Sequence, residues 1–121
     1  MREAINVGAP PAPPYSHAIV AEGRFAFLAG QGPLRDGEYV PGTIEEETRL
    51  TLGNLMAVLA ACGSGPEHVV RCGCWLVNLD DFAGMNAVYR EFFPESPPAR
   101  ATVRADLVVG KVEIDCVAVV P

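Results

Sequence analysis

The chain has 121 residues, half of them hydrophobic and a fifth charged, which suits one folded domain over 1–121 and is not a disordered composition. Nine Lys and Arg against fifteen Asp and Glu leave a net charge of −6, so the basic stripe that a phosphate backbone needs is missing and no nucleic acid is expected as a partner. The opening MREAINVGAPPAPPYS does not read as a signal peptide, and no run approaches the roughly 20 apolar residues of a membrane span. A cytoplasmic protein with reduced cysteines and no membrane partner is therefore expected.

In chain order, a short strand at 3–7 precedes GAPPAPP (8–14), which is too proline-rich for regular structure and reads as an extended arm ending at Tyr15. HAIVAEG and RFAFLAGQ follow as strands with a turn at Glu22-Gly23. GPLRDGEYVPG is a loop with its own Asp-Gly turn. Thr43-Ile44-Glu45-Glu46 then gives a capping box, Ile44, Leu52, Leu55 and Leu59 recur at helical spacing, and Gly63 stands where a helix ends.

HVVRCGCWLVNL reads as a mostly apolar strand in which Cys72 and Cys74 share a face, as small buried hydrophobes rather than metal ligands, so no metal is expected. Asp80 or Asp81 can cap a second helix through about Phe93, with an apolar stripe of Phe82, Met85, Val88, Tyr89 and Phe92. Prolines at 94, 97 and 98 end it. Two strands remain, near 99–107 and 111–120, joined at Gly110 as a hairpin. The order β-β-α-β-α-β-β predicts an α+β fold in which two helices cover one face of a sheet. The other face stays open and apolar, which favours association with copies of itself.

Strand periodicity puts Arg100, Thr102 and Arg104 on one face of their strand, and Glu113 and Asp115 on one face of the last. Small neighbours, Ala99 and Ala101, leave Arg100 room without a counter-charge. An arginine and a glutamate in an apolar wall admit two readings: a buried or interfacial ion pair, or a fork for an anionic ligand with a carboxylate nearby for proton and water handling. Asn86, polar within an apolar stripe, either caps a backbone group or reaches a site. His17 and His68 are far apart in sequence, no Ser-His-Asp or Cys-His pattern has supporting flanks, and GQGPLRDG lacks both the phosphate-loop lysine and the dinucleotide spacing.

Six segments in register, PPYSHA, FLAGQ, TLGNLMAVLAACG, NLDDFAGMNAVYREFF, PPAR and VEID, resemble the reactive intermediate deaminase family (RidA/YjgF-type, also called endoribonuclease L-PSP) along nearly the whole chain. The resemblance implies a single mixed sheet of about six strands backed by two helices, of the chorismate-mutase-like kind. It also implies a homotrimer with a central barrel and sites at the subunit boundaries. By the same resemblance Arg100 binds a substrate carboxylate and Glu113 positions the attacking water. Tyr15, Gly30 and Asn86 form the pocket, and the Thr102 carbonyl accepts from the substrate nitrogen.

The implied reaction is hydrolysis of 2-imino acids and their enamines to 2-keto acids and ammonia, with neither metal nor organic cofactor required. Thr102 replaces a frequent cysteine, His17 a frequent glutamine, and the 104–112 connection is about two residues short. A specialised catabolic enamine deaminase, a non-catalytic trimer that binds small carboxylates or regulates, and an endoribonuclease are the alternatives.

Overall fold

The computed structural model describes residues 1–121. Its elements are β1 (Arg2–Ile5), β2 (Ala18–Ala21), β3 (Arg24–Gln31), β4 (Leu34–Arg35), β5 (Glu38–Tyr39), α1 (Ile44–Ala61), β6 (Val69–Leu76), α2 (Phe82–Phe92), β7 (Ala99–Arg104) and β8 (Val112–Val120). At the start of α1 the Thr43 side chain accepts from the Glu46 N–H, while the Glu46 carboxylate accepts from the Thr43 N–H, so both halves of the capping box form. Past its end, Gly63 takes φ +78°, the left-handed turn that glycine adopts without steric cost. The cap before α2 departs from expectation: neither Asp80 nor Asp81 caps it with a side chain. Asn78 accepts from the Asp80 N–H instead, and a single 3-10 turn over Leu79–Asp81 leads into the helix.

Four strands form a mixed sheet in the order β3-β8-β6-β7, with β8 antiparallel to both neighbours and β6 parallel to β7. The other strands form two ribbons, β1-β2 and β4-β5, the second closed by Asp36 and Gly37 at φ 51° and 80°, the hairpin turn their Asp-Gly sequence favours. The connection from β7 to β8 is not a hairpin: β6 lies between them, and the loop crosses its end, with the Ala105 N–H donating to Leu76 and the Val77 N–H to Lys111. A Gly-containing link between two strands shows only that the chain turns, and here the apolar β6 takes the central place beside both. Neither helix is long and apolar enough to cross a membrane.

Register assigns the two faces. Cys72, Cys74 and Leu76 of β6 lie beside Cys116, Ile114 and Val112 of β8, all buried beneath Leu52, Leu55 and Leu59 of α1 and Met85, Val88 and Tyr89 of α2. The thiols are core: burial pushes Cys72 up to about 12 and Cys74 and Cys116 higher still, so none ionises at neutral pH. The opposite face carries Gly73, Trp75, Glu113, Asp115 and Val117, with Phe27 beside Val117. Phe27 is 79 % exposed and Val103 48 %, so the open apolar face expected from the sequence is present.

Candidate functional site

Pro97 and Pro98 hold the chain extended as it enters β7, and parallel pairing sets Arg100 beside Cys72 and Thr102 beside Cys74. Both therefore point to the helix-covered face, near the sheet edge. There α2 presents Phe82, Asn86 and Tyr89 at i, i+4 and i+7, one stripe of its surface. The Arg100 guanidinium carbon lies 4.8 Å from the Tyr89 ring centroid and 5.6 Å from that of Phe82. A third ring, Tyr15, approaches from the proline arm at 5.9 Å. The arm is docked where Ser16 bridges to Ala99, with its N–H donating to the Pro98 carbonyl and its hydroxyl to that of Pro97.

The polar groups around Arg100 are short of partners. Six buried side-chain atoms in the chain lack a hydrogen bond, and four of them are Arg100 Nη1, Asn86 Oδ1, Tyr89 Oη and Thr102 Oγ1. Three other arginines find acceptors, Arg2 donating to the Val69 and Ser96 carbonyls at 2.7 and 2.6 Å, Arg90 to Ala12 and Arg49 to Glu91, while Arg24, Arg35, Arg71 and Arg104 are exposed to solvent. Arg100 has no ion pair and no protein hydrogen bond; the ion pairs are Arg49–Glu91, His68–Glu67 and Lys111–Glu47. The closed ion pair allowed by the sequence is therefore absent. A half-buried cation facing rings and unpaired dipoles is costly to desolvate, and an anion is the kind of group that would complete it.

Glu113 lies elsewhere. It pairs in register with Trp75, on the open face, while Arg100 pairs with Cys72 on the covered face. β6 separates their strands and their register partners are three residues apart on it, which puts the two backbones roughly 14 Å apart. Within one chain the two candidate catalytic residues thus point away from each other and do not form a single pocket.

Glu113 packs instead against Gly30, at the β-bulge where β3 slips register between Leu28 and Gln31. A Cβ on Gly30 would overlap the carboxylate and come 2.9 Å from its Cδ, so the absence of a side chain there gives Glu113 its place. Next to it, Asp115 accepts the Gly73 N–H at 2.9 Å. A groove of about 470 Å³ runs under the proline arm past Tyr15, Ser16 and Arg90 and does not include Arg100.

Of the six site residues expected from sequence, Arg100, Tyr15, Asn86 and Thr102 gather at one edge of the sheet, and Gly30 and Glu113 meet on the other face. Sequence reasoning missed Phe82 and Tyr89, which it assigned to the core alone. Their spacing around Asn86 was the available signal.

The family model described as Endoribonuclease L-PSP matches residues 7–120. The chain belongs to this family. Relatives of the L-PSP family include the fission-yeast "Protein mmf2, mitochondrial", 46 % identical over 110 residues that cover 87 % of this chain and 86 % of the relative. The 2-iminobutanoate/2-iminopropanoate deaminase of Bos taurus is 34 % identical over 125 residues, 98 % of this chain and 90 % of that one. Among solved structures, the conserved Rid family protein YyfB of Yersinia pestis superimposes with a TM-score of 0.87 at 29 % identity, covering 98 % of each chain.

Proposed function

We propose that this protein hydrolyses small 2-imino acids to 2-keto acids and ammonia. The observation that carries the reading is the Arg100 guanidinium: partly buried, without a counter-ion, and accompanied by three other unpartnered polar atoms, on Asn86, Tyr89 and Thr102, in a family that includes imine deaminases. A planar guanidinium fork matches a carboxylate with two parallel hydrogen bonds. Water then adds to the iminium carbon, the proton it gives up passes on to the amino nitrogen of the carbinolamine, C–N cleavage releases ammonia, and the carbonyl forms as the remaining hydroxyl loses its proton. Glu113 accepts the proton of the attacking water and offsets the iminium charge, while Thr102, on the edge strand, supplies a main-chain acceptor. Protonated imines already hydrolyse in water, so holding and aligning them is the main requirement.

Since Arg100 and Glu113 face opposite sides of one sheet, the working site takes Arg100 from one copy and Glu113 from another. The open face with Phe27, Trp75 and Val103 is the surface for that assembly, and a homotrimer with a closed central barrel is our reading of it. We place the reaction in the cytoplasm, where the thiols stay reduced. The same geometry favours a second reading, a carboxylate binder without turnover, because the anion-binding half is present in a single chain. RNA cleavage is disfavoured by the charge of −6 and by histidines engaged locally, His17 with the Val7 N–H and His68 with Glu67.

The test couples an amino-acid oxidase or dehydratase to keto-acid detection. Wild type accelerates keto-acid release over buffer, and Arg100→Ala does not. Equal rates for wild type, variant and the no-protein control would reject imine hydrolysis. Stabilisation by pyruvate without turnover would select the binder instead.

A further inference from the structure

We infer that Tyr89 is the positioning residue for Arg100: its buried ring, 4.8 Å beneath the guanidinium, fixes the plane in which that side chain meets a carboxylate. The inference rests on the carboxylate-binding reading of Arg100 and adds what holds the group while no anion is bound. An arginine has four flexible side-chain torsions, and one without hydrogen bonds or an ion pair has no polar anchor to keep it in one orientation. Here the anchor is aromatic, and Tyr89 is its closest member. Phe82 and Tyr15 flank it at 5.6 and 5.9 Å.

Tyr89 is itself closely packed. It has no exposed surface, its ring tilts at 43° against Phe93 with centroids 4.7 Å apart, and its hydroxyl lies near Cys72, the register partner of Arg100. The choice of an aromatic anchor has a chemical reason. A carboxylate in this place would neutralise the guanidinium and compete with the ligand. Burial pushes the Tyr89 phenol well above its ordinary range, so the ring stays uncharged, attracts the cation through its π-face and leaves the positive charge for an anion.

The orientation that follows is specific. Nη1 is buried and unpartnered, whereas Nε and Nη2, which also make no protein hydrogen bond, keep contact with solvent. The accessible fork is thus the Nε–Nη2 edge, which grips a carboxylate side-on. The Asn86 oxygen, one helical turn from Tyr89, is likewise left without a partner.

The experiment compares Tyr89→Leu and Tyr89→Phe with wild type, using pyruvate binding by calorimetry, KM and kcat in the coupled assay, and 15N relaxation of the Arg100 Nε–H. In the unliganded wild type the Nε–H is rigid. Tyr89→Leu mobilises it, weakens pyruvate about tenfold and raises KM with a smaller change in kcat. Tyr89→Phe, which keeps the ring, recovers most of that loss. If a folded Tyr89→Leu binds pyruvate as wild type does, the ring is packing only and the inference is wrong. Should Tyr89→Leu fail to fold, a mobile Arg100 Nε–H in unliganded wild type would overturn it with no variant at all. If wild type neither binds pyruvate nor hydrolyses imines while Arg100 stays rigid only with an aromatic ring at 89, the functional reading falls and the positioning role stands.

Discussion

Two charged groups are set into this chain, one buried and one half-buried, and they are treated in opposite ways. The Glu47 carboxylate on α1 is buried and accepts four donors: the Tyr39 hydroxyl at 2.6 Å, the Gly42 N–H at 3.2 Å, the Lys111 N–H at 2.8 Å and the Lys111 ammonium at 3.0 Å. It ties the β4-β5 ribbon and the entry of β8 to the helix. Arg100 has no donor–acceptor partner within the chain. A charge whose every contact is made internally holds a fold together, whereas one left incomplete is available to something from outside. The difference separates a structural centre from a binding centre without any appeal to which residues are polar.

The largest effect expected from breaking this contrast is at Arg100. Replacing it with alanine removes the anion's partner and lowers kcat/KM about a thousandfold, the scale of losing a buried charge-pair partner. The melting temperature falls only modestly, because the guanidinium gives up contacts with the Tyr89, Phe82 and Tyr15 rings but no hydrogen bond or ion pair. Steady-state kinetics and a thermal melt on the same sample check both halves.

Glu47→Ala should do the reverse, costing about 3 kcal/mol of stability by orphaning several donors, read from urea denaturation, with substrate affinity retained in the folded fraction. Its pH dependence sharpens the point. Burial alone would raise the Glu47 carboxyl, but the hydrogen bonds from Tyr39, Lys111 and Gly42 outweigh it and hold the group below its ordinary 4.5. A folded-state value below the unfolded one means the contribution is fully present above the unfolded pKa and is lost as pH falls through the folded one. Melting temperatures taken downward from pH 6 should therefore show an acid limb in wild type that is shallower in Glu47→Gln.

Gly30→Ala tests the other half of the proposed composite site. The added methyl displaces the Glu113 carboxylate and cuts kcat about tenfold, with pyruvate affinity nearly constant, since Arg100 is untouched. The smallest change is Tyr39→Phe, which deletes one of the four bonds to Glu47 and lowers stability by about 1 kcal/mol in the same urea titration.

Local signals in the sequence were reliable where a short-range rule governs. Thr43 and Glu46 announce the start of α1, Gly63 its end, and alternation gives the facing of residues within β7 and β8 correctly. Relations between elements were not legible. Period-2 alternation says that Arg100 and Thr102 agree in direction, but only the strand order β8-β6-β7 fixes that Glu113 points the other way. The capping box drew attention to Glu46, which is exposed. Its neighbour Glu47, the buried hub, carries no local mark, because its donors come from residues 39, 42 and 111. Tyr89 was masked by its own hydrophobicity, since a ring that packs and a ring that steers a cation occupy the same place in an apolar stripe.

The place of β8 has a consequence for how the molecule forms. It is the last strand in sequence yet sits inside the sheet, joining Arg24 to Val120 across nearly the whole chain. No fragment ending before Val112 can close the two ladders that flank it. Early helices and ribbons must wait with their apolar faces uncovered, and the high contact order predicts slow, all-or-none acquisition of structure. The residues that complete the scaffold and Glu113, to which we assign the handling of water, arrive on the same late segment, so partially folded chains lack the Glu113 half of the proposed site.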